Sequence, residues 1–402
     1  MNEEAHIPTS GFNTHYLLLI TRYFSPVGVG HRKMSSIDRR SFLSWLIGSL
    51  TATISSKSLA GNSILHNPLE RQIFLKDYAA SNNLLYGAAT RYSILRQDKQ
   101  FARRFVRECA ILVPENDFKW QNLRPTSQRF DFTKTDWLAS FARQNNLKLR
   151  GDTLVWYRAL PDWLATEVDR TNAAKHLVNH INTVVGRYAG QIHSWDVVNE
   201  AIEPIDGRDD GLRINPWLEY LGEEYIELAF KTAALADPQA LLCYNDYGLE
   251  YDTPQQEARR TATLKLLERL KAKNIPVGAL GMQAHLFSGS GRFARKKLQK
   301  FMQNVADLGL KILVSELDVV DRSLEAATIF RDRAVADIYR EYLEIVLTQR
   351  AVIAVITWGL SDRYTWLRQV SPRKDEADVR PLPLDNNLNP KLAWEASADA
   401  LS

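Results

Sequence analysis

Cysteine is scarce: the 402 residues contain only Cys109 and Cys243. That excludes a disulfide-rich scaffold and any zinc site built on cysteines. Long apolar runs are missing too. No 18 consecutive apolar residues occur, which argues against a membrane span. No G-x-G-x-x-G follows the first predicted strand and there is no P-loop, so a nucleotide-binding open sheet is disfavoured. No G-x-S-x-G elbow occurs, which argues against an esterase. His193 and His285 do not stand at helical metal-ligand spacing with acids, so no catalytic metal and no other cofactor is expected. Net charge is also small, at +4. Six of the 51 Lys/Arg but only three of the 47 Asp/Glu fall in residues 1–60, leaving the remainder close to neutral. Such a body has no electrostatic footprint for nucleic acid or anionic lipid.

What is present is globular in character, with 45% hydrophobic and 24% charged residues. Ten tryptophans are many for this length. Their rings suit sugar binding, although each also has an ordinary packing role to fill.

The N-terminal part reads as an export signal. Asp38-Arg39-Arg40-Ser41-Phe42-Leu43 precedes a short apolar run to about Ile54, and Ser58-Leu59-Ala60 ends a small-residue stretch. A basic start, an apolar middle and an S-x-A site describe a signal peptide over 34–60, and the paired arginines resemble a twin-arginine signal. Thirty-three residues precede Met34. Since such signals sit at the extreme N-terminus, translation is expected to start at Met34, with 1–33 a non-translated or disordered extension. The mature chain, 61–402, is then expected to act in the periplasm or outside the cell, free of the membrane. A Cys109–Cys243 disulfide would be permitted there, but sequence does not say whether geometry allows it.

After residue 83 one pattern repeats: an apolar run, a polar turn, then a stretch with helical periodicity. The runs are 84–90, 109–116, 148–156, 192–200, 240–247, 278–286, 311–319 and 351–360. Most are apolar almost throughout, as burial on both faces requires. Leu177, Ile181, Val184 and Tyr188 share one helical face between runs; so do Leu298, Phe301, Met302, Val305 and Leu308, with Gly309 as a C-terminal cap. Eight β-then-α units in about 320 residues predict a single-domain (β/α)8 barrel.

Chemistry in such a barrel belongs at the C-terminal strand ends. There the sequence places Glu115-Asn116 with Lys119-Trp120, Asp152 with Trp156-Tyr157, Asn199-Glu200, Asn245-Asp246-Tyr247, Gln283-x-His285, Glu316-x-Asp318 and Trp358. A buried carboxylate without a partner costs several kcal/mol. One could be a structural ion pair to Arg150 or Lys119; Glu115, Asp152, Glu200, Asp246 and Glu316 together on one face point to chemistry. Two carboxylates from different strands suit glycoside hydrolysis, one protonating the leaving oxygen and the other attacking the anomeric carbon or activating water. Carboxyls roughly 5–5.5 Å apart would retain configuration, and a wider gap would invert it.

These motifs resemble glycoside hydrolase family 10, the retaining endo-β-1,4-xylanases, from about Leu84 to Trp394. The resemblance rests on Glu115-Asn116-x-x-Lys119-Trp120, Trp195-Asp196-Val197-Val198-Asn199-Glu200-Ala201, Gly281-Met282-Gln283-x-His285-Leu286, Ser315-Glu316-Leu317-Asp318 and Trp358-Gly359-Leu360-Ser361-Asp362. It implies an enzyme acting on xylan or a related β-1,4-glycan, with Glu200 as general acid/base and Glu316 as nucleophile; separately, a monomer is expected. It further implies that His285, oriented by Asp318, donates to the nucleophile, and that Asn199 and Gln283 contact the sugar being cleaved. Glu115, Asn116 and Lys119 would hold the glycone side; Trp156, Trp358 and Trp366 would wall the site; Tyr247 would be an aglycone platform. Family members usually read G-H-T-L-V-W-H-x-Q at the third strand. Here Asp152, Tyr157 and Ala159 replace the two histidines and the glutamine. An acid at 152 is expected to accept hydrogen bonds and to add negative charge near Glu316 unless Arg150, Arg158 or Lys119 compensates. Two alternatives stay open at this point: a relative with shifted glycan specificity, and a catalytically silent carbohydrate-binding barrel. The charged segment 371–380 reads as a solvated turn or a mobile rim.

Overall fold

The structure is a computed structural model that describes residues 73–402. The signal and the 1–33 extension expected from the sequence lie outside the described residues.

Nine strand segments form one parallel sheet: β1 (Leu85–Thr90), β2 (Ile111–Pro114), β3 (Lys148–Gly151), β4 (Ser194–Asn199), β5 (Leu241–Asp246), β6 (Ala279–Met282), β7 (His285–Phe287), β8 (Lys311–Val320) and β9 (Val352–Thr357). The order runs β6-β5-β4-β3-β2-β1-β9-β8, and β6 pairs with β8, so the sheet closes. β6 and β7 share one stave. The predicted run 278–286 breaks at Ala284, whose φ is +61°, and β7 resumes pairing with β8 at His285. The result is the eight-staved (β/α)8 barrel that the alternation predicted. The third run also differs: β3 stops at Gly151, and residues 152–156 turn over the end of β4, where Leu154 N donates to Asp196 O at 2.9 Å.

Ala89, Ile111, Val113, Cys243, Leu313, Ala354 and Ile356 fill the barrel interior beneath Trp358. A second, larger cluster lies between the sheet and the helices. It includes Leu177, Ile181, Val184 and Tyr188 from the helix Ala173–Arg187 and Leu298, Phe301, Met302 and Val305 from Arg295–Asp307. Each such buried side chain contributes roughly 1.5–3 kcal/mol. Gly309 follows with φ +77°, as its capping role requires. Local signals set the helix starts: Pro254 opens Pro254–Ala272 behind Thr253, whose hydroxyl accepts from Gln256 N at 3.2 Å.

The first and last described helices, Leu75–Ser81 and Leu392–Leu401, are tied together. Asn82 Nδ2 donates to Leu401 O at 2.9 Å, and buried Glu108 accepts from both Leu75 N and Trp394 Nε1. Cys109 and Cys243 are both buried free thiols, the first among the helices and the second inside the barrel. The segment 371–380 is more than a solvated turn. Ser371, Arg373 and Val379 are buried, and Arg373 NH1 donates to Asp321 O at 2.5 Å. Among the described residues, no helix is long and apolar enough to cross a membrane.

Candidate active site

The C-terminal ends of the staves bring the predicted residues together. Glu316 lies on β8 with its backbone N donating to Gln283 O at 2.9 Å. Its Oε1 accepts from Asn245 Nδ2 at 2.7 Å, and its Oε2 faces His285 Nε2 at 3.1 Å. His285 Nδ1 in turn stands 2.9 Å from Asp318 Oδ1, and Asp318 Oδ2 accepts from Trp366 Nε1 at 2.7 Å. Burial opposes a charge on His285, but the Asp318 and Glu316 carboxylates outweigh it and push the imidazole up to about 10. The two flanking carboxylates thus favour a ring protonated at both nitrogens, which donates to both acids.

Glu200 follows the last residue of β4. Its Oε1 accepts from Asn199 Nδ2 at 3.2 Å and from Gln283 Nε2 at 3.1 Å, two neutral amides. Asn245 Nδ2 also donates to Asn199 Oδ1 at 3.0 Å, so Glu316, Asn245, Asn199 and Glu200 form one hydrogen-bonded chain across the barrel mouth. Gly281 makes this possible. It pairs with Asn245 in the sheet, and a Cβ there would lie 2.1 Å from Asn245 Oδ1.

Beside the pair lies a polar floor. Glu115 Oε1 accepts from Asn116 Nδ2 at 3.2 Å, and Glu115 Oε2 is 3.1 Å from Arg91 Nε. Lys119 Nζ donates to Asn116 Oδ1 at 3.4 Å. The ammonium sits 4.9 Å from the Trp156 ring and 5.6 Å from the Trp358 ring, a cationic centre between two aromatic walls. Asp152 Oδ2 is 3.6 Å from the same Nζ. Burial pushes the Asp152 carboxyl up to about 7, with Lys119 opposing and the Glu316 charge adding to the rise. The negative charge expected at 152 is thus opposed by burial and met by Lys119. Lys119 is its near cation, whereas the Arg150 guanidinium pairs with Asp196 inside the barrel and Arg158 lies over the Tyr157 ring.

On the far side of Glu200, Tyr247 stands among charged groups. Its Oη accepts from Arg213 NH2 at 2.8 Å and donates to Glu203 Oε2 at 3.1 Å, while Arg259 lies 4.3 Å from its ring. The arrangement brings together two carboxyls, a bed of amides and aromatic walls. Among the described residues, no group of three or more His, Cys, Asp or Glu is placed to hold a metal ion.

A sequence profile described as glycosyl hydrolase family 10 matches residues 74–400. The chain belongs to this family. It is 36% identical over 293 residues to a β-1,4-xylanase of Dictyoglomus thermophilum, covering 71% of this chain and 80% of that protein. It is 32% identical over 313 residues to endo-1,4-β-xylanase B of Thermotoga neapolitana, covering 77% and 86%. Among solved structures it resembles native xylanase 10B from Thermotoga maritima, with TM-score 0.74 and 32% identity over 82% of this chain and 98% of that one. Xylanase 10B from Thermotoga petrophila, solved in complex with xylobiose, gives TM-score 0.74 and 31% identity over the same shares.

Within this family 10 barrel, every residue predicted for the site sits at the C-terminal mouth. The sequence placed Asn245 and Ser315 at strand ends but gave them no role, and it did not single out Arg213. Ser315 Oγ donates to Asn245 Oδ1 at 2.7 Å and so fixes which end of that amide faces Glu316.

Proposed function

We propose that this chain is an exported, monomeric, retaining endo-β-1,4-xylanase, with Glu316 as nucleophile and Glu200 as general acid/base. In the first step an oxygen of Glu316 bonds to the anomeric carbon as the glycosidic bond breaks. Glu200 gives its proton to the departing oxygen, leaving a glycosyl ester and an ionised Glu200. In the second step Glu200 takes a proton from water, the hydroxide oxygen bonds to the anomeric carbon, and Glu316 departs as carboxylate. The unequal surroundings of the two acids carry this reading. Glu316 receives an amide N–H and a charged imidazolium, which favour a carboxylate ready to attack. Glu200 receives neutral amides at Oε1, which suit a group that must hold and return a proton.

The glycone side is assigned to Glu115, Asn116, Lys119, Asp152 and the Trp156, Trp358 and Trp366 walls, and the aglycone side to Tyr247. The signal-like segment 34–60 supports export to where polymeric xylan is found. Reducing-sugar release from xylan tests the reading. Glu316→Ala is expected to abolish it, and full activity in that variant would overturn the assignment. One observation favours a second reading, a shifted sugar preference: a carboxyl, Asp152, stands 3.6 Å from Lys119 Nζ where the family usually has a histidine. A panel of aryl glycosides separates the two.

A further inference from the structure

The backbone at Glu200 is unusual. Its φ is +56°, a left-handed conformation that non-glycine residues adopt only when the surroundings hold them there. Two hydrogen bonds do the holding. Glu200 N donates to Asn245 O at 2.8 Å, and Glu200 O accepts from Arg213 Nε at 2.8 Å.

Arg213 is itself fixed on every side. It is buried, its backbone N donates to Ala201 O at 2.7 Å, and its NH2 donates to Glu203 Oε2 at 3.1 Å and to Tyr247 Oη at 2.8 Å. Its guanidinium lies 4.3 Å from the Tyr157 ring. Glu203 is further anchored by Arg259 NH2 at 2.8 Å, and Arg259 NH1 reaches Asp246 Oδ1 at 3.3 Å on β5. A rigid fork thus runs from the body of the barrel to one carbonyl, that of Glu200.

We propose that Arg213 is a positioning residue for proton transfer, locking the Glu200 backbone so that its carboxyl meets the leaving oxygen. The inference rests on the acid/base reading of Glu200 given above. It is tested on the glycosylation step and makes no contact with sugar necessary. A side chain with this role matters in proportion to how much the leaving group needs a proton. A purely structural residue would lower all substrates alike.

The experiment compares kcat/KM on phenyl β-xylobioside, whose leaving group needs protonation, with 2,4-dinitrophenyl β-xylobioside, whose leaving group does not. Both carry the same sugar, and kcat/KM reports the first step. Arg213→Met is expected to lose about tenfold to hundredfold on the phenyl substrate, a part of what a positioned acid supplies, and less than about threefold on the dinitrophenyl one. Arg213→Lys keeps the charge but not the fork; it carries the same comparison if the methionine variant does not fold. Equal losses on both substrates, or no loss on either, would overturn the proposal. Glu200→Ala is the control. If it shows no difference between the substrates, the acid/base assignment falls; if it shows one and the Arg213 variants do not, the positioning role falls.

Discussion

His285 stands between two carboxylates, with Nε2 3.1 Å from Glu316 Oε2 and Nδ1 2.9 Å from Asp318 Oδ1. The ring is a fixed donor to the proposed nucleophile, and its own proton count depends on Asp318. Asp318→Asn is expected to bring the imidazole ionisation down and to lower kcat by about tenfold to a thousandfold, the range for weakening one preorganised donor. Imidazole NMR signals at pH 8 check the first part. A ring still fully protonated in the variant would contradict it.

The same ring links stability to pH. The imidazole is held at about 10 in the folded chain against 6.5 in the unfolded one, so folding takes up protons between those values. The stabilisation is complete below about 6.5 and is lost as pH rises through about 10. Thermal unfolding from pH 7 to 10 should show a larger fall in Tm for the native protein than for Asp318→Asn.

Asp152 is a buried acid close to the Glu316 charge. Burial pushes it up to about 7, so its contribution to stability is full below about 4 and lost as pH rises through about 7. Asp152→Asn keeps the shape and removes the ionisation. Its Tm is expected to match the native value near pH 4 and to exceed it by several degrees at pH 8. The kcat/KM profile on a xylobioside should also lose an inflection near 7. An unchanged profile would rule out a role for this ionisation in turnover.

Gly281 gives room to the amide that holds Glu316. A methyl group there would meet Asn245 Oδ1 at 2.1 Å, so Gly281→Ala must displace that side chain. Activity on xylan is expected to fall by more than about tenfold, as for loss of a hydrogen bond to a charged group. Circular dichroism should show the barrel intact. Asn245→Ala should reproduce the loss, and a fully active Gly281→Ala would contradict the argument.

The N-terminal reading makes its own prediction. Replacing Arg39 and Arg40 with lysine is expected to leave the precursor inside the cell. Mass spectrometry of the precursor should find no peptide from residues 1–33.

Much of this was legible in the sequence because the barrel imposes a strong pattern. Strands buried on both faces are apolar throughout, so the polar residues ending them stand out, and Glu200, Glu316, His285 and Asp318 were found that way. Three kinds of feature escaped. The break at Ala284 is invisible to periodicity, because residues 278–286 read as one apolar run. Asn245 was visible as a polar strand end, but its contact with Glu316, 71 positions away, was not, and nothing in the chain announces Arg213, which acts on a residue 13 positions away. The ionisation of Asp152 was also beyond reach, since it depends on burial that only the fold supplies.

The chain of amides from Glu316 through Asn245 and Asn199 to Glu200 has one more consequence. Attack and protonation are mechanically joined, because a shift at either acid passes through the same two side chains. Penalties from substitutions at the two ends should therefore be less than additive, and double-mutant cycles across the mouth would measure the coupling directly.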